Sequence, residues 1–237
     1  MSKGKKTART NQGDKPLLDR DFVQLAKVRP RNECQDQYLK SILENVITIG
    51  LGPAGSGKTY LATYMSLVYH CSKKIRRMVI TRPAVEAGEK LGFLPGTLDD
   101  KLDPYMRPIY DSLYDLVGIE VAREKVERGH IEIAPLAYMR GRTFNNCFII
   151  LDEAQNATLD QLKMVTTRLG ENCKLVIDGD PDQSDLVNGK KSSLRVLSEI
   201  LVDVPNLGIV EFKEEDIVRH PIVMEVVRAF QKHQGRF

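Results

Sequence analysis

The sequence predicts an α/β fold in which a mostly parallel sheet carries helices on both faces of a single domain. Two observations lead to this class. Apolar, strand-like runs alternate with segments of helical periodicity along most of the 237 residues. A glycine-rich loop follows the first strand-like run, and two adjacent acids follow the fourth. Because strands that alternate with helices pair in parallel, their carboxyl ends meet at one edge of the sheet, where ligands bind.

The individual elements follow from hydrophobic periodicity and from the turn residues between the periodic segments. Helices are predicted at 35–44, 58–71, 159–169, 191–201 and 221–232, and strands at 46–51, 78–81, 131–134, 147–151, 174–177 and 208–212. Residues 88–129 form a helix-rich insertion with three prolines and three tyrosines, namely Pro95, Pro104, Pro108, Tyr105, Tyr110 and Tyr114. Two interpretations of the tyrosines stay open, stacking on nucleic-acid bases and half-buried packing.

The loop after the first strand reads Gly-Pro-Ala-Gly-Ser-Gly-Lys-Thr and matches the phosphate-binding pattern G-x-x-x-x-G-K-[ST] at every fixed position. Its glycines let backbone N–H groups turn towards phosphates at a helix N-terminus, whose dipole favours an anion. Lys58 is predicted to reach the β and γ phosphates, and the Thr59 hydroxyl to bind Mg²⁺. The predicted nucleotide-binding residues of this loop are Gly52, Pro53, Ala54, Gly55, Ser56, Gly57, Lys58, Thr59 and Tyr60.

Two acids end a strand that is apolar at every position. Residues 148–151 read Phe-Ile-Ile-Leu, and Asp152 and Glu153 follow directly. Two negative charges at the end of a buried strand cost free energy unless a cation lies near them. Asp152 is therefore predicted to bind Mg²⁺ directly or through water. Glu153 can orient and polarise an attacking water, which favours hydrolysis.

A glutamine follows the next predicted strand. After residues 174–177 the chain reads Asp178-Gly179-Asp180-Pro181-Asp182-Gln183. At the carboxyl end of a parallel strand, Gln183 could hydrogen-bond the γ-phosphate or the attacking water. The same residues are also typical of an ordinary turn, so both interpretations stay open.

Composition indicates one domain with a basic tail. Residues 1–16 hold five basic side chains and one acid, with almost no bulky apolar residue, and are predicted to be disordered, leaving 17–237 as the domain. The tail contributes 5 − 1 = +4, so the remainder carries 3 − 4 = −1. Net charge is therefore poor evidence for nucleic-acid binding, and the tail either contacts phosphates or serves solubility. The cysteines and histidines lack metal-ligand spacing, and no apolar run could cross a membrane, so we expect a cytoplasmic protein.

The segments GPAGSGKT, LDEAQNAT and GDPDQSDL together resemble the PhoH-like family, whose fold resembles the first motor domain of superfamily 1 helicases, a RecA-like P-loop NTPase domain. Residues 81–96, 133–143 and 218–221 also resemble family signatures, so the likeness covers about 31–232. The resemblance implies ATP and Mg²⁺ as cofactors and single-stranded RNA, or else DNA, as a partner. It implies that Gln35 reads adenine, the alternative being a helix-surface glutamine. One departure is Asp178, where the family more usually has a small residue; an extra carboxylate there could raise a neighbouring pKa or weaken anion binding.

The resemblance also bears on assembly. Such helicases close ATP between two motor domains, and this chain has room for one, so we expect a neighbouring subunit to supply an arginine. The implied assembly is a hexameric ring, with Arg219 as the first candidate for that arginine and Arg140 and Arg142 next.

Three function classes remain on the sequence. The first is an ATPase with a helicase-like mechanism that nucleic acid stimulates. The second is a P-loop kinase, which Glu153 and Gln183 disfavour because a kinase must exclude water. The third is a nucleotide-gated scaffold with little turnover.

Overall fold

A computed structural model describes residue 25 and residues 28–83, 98–183, 192–219, 222–223 and 225–226, with the side chains of 98–105 excepted. The predicted tail at 1–16 and most of the predicted helix at 221–232 lie outside these residues. Six helices are named here in chain order: α1 Glu33–Glu44, α2 Lys58–Cys71, α3 Leu98–Val117, α4 Ile119–Glu127, α5 Leu159–Thr166 and α6 Ser193–Leu201. The strands are β1 Ile47–Leu51, β2 Arg77–Arg82, β3 Ile131–Pro135, β4 Cys147–Leu151, β5 Lys174–Gly179 and β6 Leu207–Glu211.

The six strands form one sheet in the order β3-β2-β4-β5-β1-β6, and all five neighbouring pairs are parallel. This confirms the predicted α/β class and its RecA-like P-loop arrangement. The strands β4, β5 and β1 are consecutive neighbours, so their carboxyl ends lie side by side. The P-loop, the two acids and the loop after β5 therefore meet at one edge of the sheet.

Two apolar layers cover the two faces of the sheet. One layer contains Tyr38 of α1, Leu61 of α2 and Leu113 of α3, and the other contains Leu162 of α5 and Leu194 of α6. Successive residues of a strand alternate between the layers, as the pleat requires. The central strands are buried on both faces, which explains why β4 reads as an unbroken apolar run.

Two prolines of the insertion lie inside a helix. Pro104 and Pro108 lie within α3 and do not end it. Tyr110 and Tyr114 are partly buried against the core, with their ring centroids 6.0 Å apart, which agrees with the packing interpretation for these two residues. Among the described residues, no helix combines the length and the apolar character that a membrane crossing requires.

The predicted end of β5 is wrong by two residues. The strand continues to Gly179, and Asp178 lies inside it, in register with Gly50 of β1. An acid can continue this strand because its carboxyl group finds a hydrogen-bond donor in Tyr38 of α1. That donor is 140 residues away in the chain, so the local pattern around Asp178 does not indicate it.

Candidate nucleotide-binding site

The P-loop leaves β1 at its carboxyl end and enters α2 at Lys58. Gly57 is the N-cap residue of α2, and Gly55 and Gly57 both have a φ of 87°, a left-handed conformation that glycine adopts without steric cost. The loop is tied to the neighbouring strand because Gly52 N donates to Gly179 O over 3.1 Å. The sequence therefore builds the predicted concave loop at the start of a helix.

Lys58 is folded onto the loop that precedes it. Its ammonium group donates to Gly52 O at 2.7 Å, to Pro53 O at 2.9 Å and to Ser56 Oγ at 3.1 Å. Burial lowers the pKa of Lys58, and the nearby carboxyl groups oppose this effect. Because an ammonium group has three donors and the loop takes all three, Lys58 must exchange loop acceptors for phosphate oxygens when a nucleotide binds.

Thr59 and Asp152 lie together as predicted. Thr59 Oγ1 donates to Asp152 Oδ1 over 2.7 Å, and Asp152 is only 3% exposed. Hydroxyl and carboxylate oxygens are the ligands that Mg²⁺ prefers, so the donor set and its place beside the P-loop fit this ion.

Sequence reasoning missed the partner of the other Asp152 oxygen. Arg82, at the end of β2, donates to Asp152 Oδ2 from Nε at 2.8 Å and from Nη2 at 2.6 Å. The same Nη2 lies 3.8 Å from Glu153 Oε1. The signal for Arg82 was its place in the resembling segment at 81–96, directly after a predicted strand. Its pairing with Asp152 required knowing that β2 and β4 are neighbours.

Glu153 has a left-handed backbone, with φ 53° and ψ 39°, which is costly for a residue other than glycine. Its Oε2 accepts a hydrogen bond of 2.6 Å from Gln155 Nε2, and Gln155 Oε1 accepts one of 3.1 Å from Asp180 N. Gln155 is 4% exposed and thus connects Glu153 to the loop after β5. Gln155 lies in the segment LDEAQNAT, which resembles a motif of the family, but the sequence predicted no role for it.

Gln35 is a buried residue of α1, so the alternative of a helix-surface glutamine is wrong. Its Nε2 donates to Ser56 O over 2.9 Å, and its Oε1 accepts from Arg31 N over 2.8 Å. A pocket of about 320 Å³ lies beside it and the P-loop, and Tyr60 and Val218 also line this pocket. Gln35 thus contacts the P-loop and also lines this pocket. Its role in reading adenine remains a prediction.

A larger pocket of about 470 Å³ lies over the P-loop. The predicted residues that line it are Ala54, Gly55, Gly57, Lys58, Thr59, Tyr60, Asp152, Glu153, Gln183 and Arg219. Gln183 belongs to a turn, since its N donates to Asp180 O over 3.1 Å, and it also faces the pocket. The two interpretations of Gln183 are therefore compatible. Pro108 and Ser112 of α3 complete the wall, so the insertion contributes to the site.

Arg219 lies against the P-loop of its own chain. Val218 N donates to Gly55 O over 2.9 Å, and the Arg219 guanidinium occupies the space beside Gly55. Arg219 thus lies at the pocket of its own chain. Its predicted supply to a neighbouring subunit stays a prediction. Of the other candidates, Arg142 pairs with Glu132 of β3, its Nη2 lying 2.9 Å from Oε2, and Arg140 is exposed.

Asp178 lies beside the P-loop strand and is fully buried. Tyr38 Oη donates to its Oδ1 over 2.6 Å, and its Oδ2 has no hydrogen-bond partner among the residues that the structure describes. Burial raises the pKa of Asp178 to about 8, although the Tyr38 hydrogen bond opposes this rise. In its protonated form the group carries no negative charge near the phosphates, so the expected weakening of anion binding applies to its ionised form only.

Known proteins resemble the chain over most of its length. Residues 27–231 match the family model described as PhoH-like protein. A PhoH-like protein of Mycobacterium tuberculosis (strain ATCC 25618 / H37Rv) is 50% identical over 207 residues, which are 87% of this chain and 59% of that protein. A PhoH-like protein of Bacillus subtilis (strain 168) is 47% identical over 205 residues, 86% of this chain and 64% of that protein. Protein PhoH of Escherichia coli (strain K12) is 41% identical over 215 residues, 90% of this chain and 61% of that protein.

The chain spans about three fifths of the length of these curated relatives. Among solved structures, the large terminase of a thermophilic bacteriophage has a TM-score of 0.49 at 12% identity, covering 90% of this chain and 50% of that chain. The Pyrococcus furiosus Hef helicase domain has a TM-score of 0.46 at 14% identity, covering 84% and 40%. These two likenesses are too weak for a conclusion about function. The family model matches far more than half of the chain, and the chain belongs to the PhoH-like protein family.

Proposed function

We propose that this PhoH-like P-loop site binds ATP with Mg²⁺ and hydrolyses it, and that single-stranded nucleic acid stimulates the turnover. The observation that carries the proposal is the contact between Thr59 and Asp152 at 2.7 Å, in a pocket that Glu153 and Lys58 also line. These side chains lie at the start of α2 and directly after β4, and each has the chemistry that one part of phosphoryl transfer to water requires. The choice of RNA over DNA comes from the family resemblance.

Mg²⁺, held by Thr59 and Asp152, would neutralise charge on the phosphate oxygens. Lys58 turns its ammonium group from the loop carbonyls to the phosphates and stabilises charge that develops on them. Glu153 accepts a proton from the attacking water, while the hydrogen bond from Gln155 holds its carboxylate in place. Gln183 and Arg219 line the same pocket. In this proposal Gln183 orients the water, and Arg219 contacts the phosphates from the same chain.

Phosphate release from ATP, with and without single-stranded RNA or DNA, tests this proposal. Glu153→Gln keeps the size of the side chain and removes the proton acceptor, so we expect at least a ~100-fold loss of turnover, with ATP binding retained. Lys58→Ala should lose both binding and turnover. Glu171→Gln, an exposed acid in the turn before β5, is the matched control and should behave as the wild type.

The outcomes separate the function classes. Hydrolysis that Glu153→Gln leaves unchanged would contradict the assignment of Glu153 as the proton acceptor. Wild-type phosphate release no higher than that of Lys58→Ala, despite measurable ATP binding, would contradict the ATPase and favour a nucleotide-gated scaffold. A phosphorylated acceptor in place of free phosphate would identify a kinase. Stimulation by RNA or by DNA would identify the nucleic-acid partner and test the helicase-like mechanism.

We also propose that the protein forms a homo-oligomeric ring, a hexamer as the family resemblance implies. Exposed Arg219 and the half-exposed Glu153 leave the outer side of the pocket open to solvent, where a neighbouring subunit could cover it. Light scattering after gel filtration of Glu153→Gln with ATP and Mg²⁺ measures the assembly. A monomer under these conditions would contradict the ring.

A further inference from the structure

A third pocket, of about 740 Å³, lies at the edge of the sheet opposite the P-loop. Its walls are the segments that lead into two neighbouring strands. The first segment follows α2 and precedes β2, and the second includes the end of α4 and precedes β3. A six-residue strand spans about 20 Å, so the pocket is separated from the nucleotide site by roughly that distance. It shares no lining residue with the pocket over the P-loop.

The lining of this pocket is strongly basic. Its six basic side chains are His70, Lys73, Arg76, Lys125, Arg128 and His130. The acid in its wall is Glu124, which lies 2.6 Å from Arg128. With the histidines neutral, the lining carries 4 − 1 = +3, whereas residues 17–237 as a whole carry −1. Because the domain as a whole is nearly neutral, this local excess of positive charge favours an anionic ligand.

Lys73 lies in this pocket at a backbone position that suits glycine. After α2, Lys73 N donates to His70 O and Lys74 N to Tyr69 O, each over 3.0 Å, which is the Schellman pattern of helix termination. The pattern places Lys73 at the residue where glycine is usual, and its φ is 57°. A residue other than glycine strains the backbone there, whereas a cation near the end of a helix is favoured by the helix dipole. Lys73 therefore adds a positive charge to the pocket lining.

The lining also includes two imidazole rings and apolar side chains. The rings of His70 and His130 lie 5.0 Å apart, and Ile75 and Val121 supply apolar surface. Lysine and arginine bind phosphate oxygens by charge-assisted hydrogen bonds, and an imidazole can donate to phosphate or stack on a base. We propose that this pocket is a second ligand site of the protein, which binds a chain of two or more phosphates, either of a free nucleotide or of an inorganic oligophosphate.

The four histidines of the chain make the binding directly observable. In a titration with inorganic tripolyphosphate followed by NMR of the imidazole groups, the signals of His70 and His130 should shift and saturate. Variants His70→Gln and His130→Gln assign these signals. The titration is repeated in Lys58→Ala, in which the P-loop site is impaired, and the shifts should persist. This readout does not depend on ATP hydrolysis, so its failure and the failure of the proposed ATPase are distinguishable.

Lys73→Gly separates binding from folding. The substitution removes a cation and relieves the strained backbone, so the protein should melt at a higher temperature and bind tripolyphosphate more weakly, by roughly fivefold. Combination with Arg76→Ala should weaken binding further. Lys163→Ala, at an exposed position on α5, is the control and should bind as the wild type.

Comparison of two probes identifies the source of the phosphates. Tighter binding of ATP than of tripolyphosphate in the Lys58→Ala background would assign the site to a nucleotide, and equal affinities would assign it to the phosphate chain alone. The proposal is overturned if the His70 and His130 signals do not move at millimolar tripolyphosphate. It is also overturned if Lys73→Gly and Lys73→Gly/Arg76→Ala bind the probe as tightly as the wild type.

Discussion

Asp178 is a carboxylic acid that the fold keeps in its neutral form. Its carboxyl group is fully buried between Tyr38 and the backbone of Gly50, and burial raises its pKa to about 8. In the unfolded chain the group ionises near pH 4. Between these two values the folded state holds a proton that the unfolded state has lost. The free energy of unfolding therefore falls as pH rises from about 4 to 8, by at most ~1.4 kcal/mol per pH unit.

Asp178→Asn should remove this dependence on pH. The amide keeps an acceptor for the Tyr38 hydroxyl and cannot ionise, so the variant should melt close to the wild type at pH 5 and above it at pH 8. Each kcal/mol corresponds to roughly 2–4 °C in a chain of this size. Calorimetry or circular dichroism across this range measures the difference. An equal gap at pH 5 and pH 8 would show that Asp178 does not titrate in this window.

Side chains of the nucleotide site differ in how far the sequence indicates them. Lys58, Thr59 and Asp152 were predicted because each belongs to a short motif whose chemistry is local. Arg82 and Gln155 also lie in segments that resemble the family, but their contacts are not local sequence features. The contact of Arg82 with Asp152 depends on the pairing of two strands, and that of Gln155 with Glu153 on a buried turn. Arg219 was noticed in the sequence, and its place beside the P-loop of the same chain was not.

At the level of elements, Gly50 of β1 lets this strand lie close to β5 and α1. A Cβ atom on Gly50 would touch Asp178 Oδ1 and would lie 2.9 Å from Tyr38 Cε2. Gly50 is buried in the strand that leads to the P-loop, so the space it leaves open sets the distance between this strand and the helix that carries Gln35.

Gly50→Ala should destabilise the protein by about 1–3 kcal/mol, since overpacking must move β1, β5 or α1. Gly129→Ala is a useful comparison, because that position has a φ of 71° but open space around it, and only backbone strain of about 1 kcal/mol is expected there. Urea unfolding measures both. If crowding against Asp178 is the cause, the cost of Gly50→Ala should shrink in an Asp178→Ala background. An unchanged cost would place the clash elsewhere.

Most boundaries of the predicted elements that the structure describes lie within two residues of the observed ones, because the patterns are local. The bounds of α2 and β4 were predicted correctly, since glycine precedes the helix and acids follow the strand. The helix predicted to reach residue 169 ends at Thr166 instead. Leu169, the last residue of the predicted helix, instead forms an isolated parallel bridge with Phe144. Helical periodicity does not indicate a contact of this kind.

For the molecule as a whole, nucleotide binding should stabilise the folded state by mass action. At 100 times the dissociation constant the gain is about 2.7 kcal/mol, which corresponds to roughly 5–10 °C. A thermal melt with Mg²⁺ and a non-hydrolysable ATP analogue should show this shift in the wild type and in Lys163→Ala. Lys58→Ala should lose the part of the shift that comes from the P-loop site. A full shift in Lys58→Ala would mean that the stabilising nucleotide binds elsewhere, for example in the basic pocket.

Local sequence was sufficient for the α/β class, the P-loop and the acids after β4, because loop geometry, strand burial and phosphate chemistry depend on residues that are adjacent in the chain. It could not provide the strand order β3-β2-β4-β5-β1-β6. That order brings Arg82 to Asp152, buries Asp178 against Tyr38 and gathers six basic side chains at the far edge of the sheet. These contacts join residues that are far apart in the chain, and their protonation and pairing arise from burial in the folded protein.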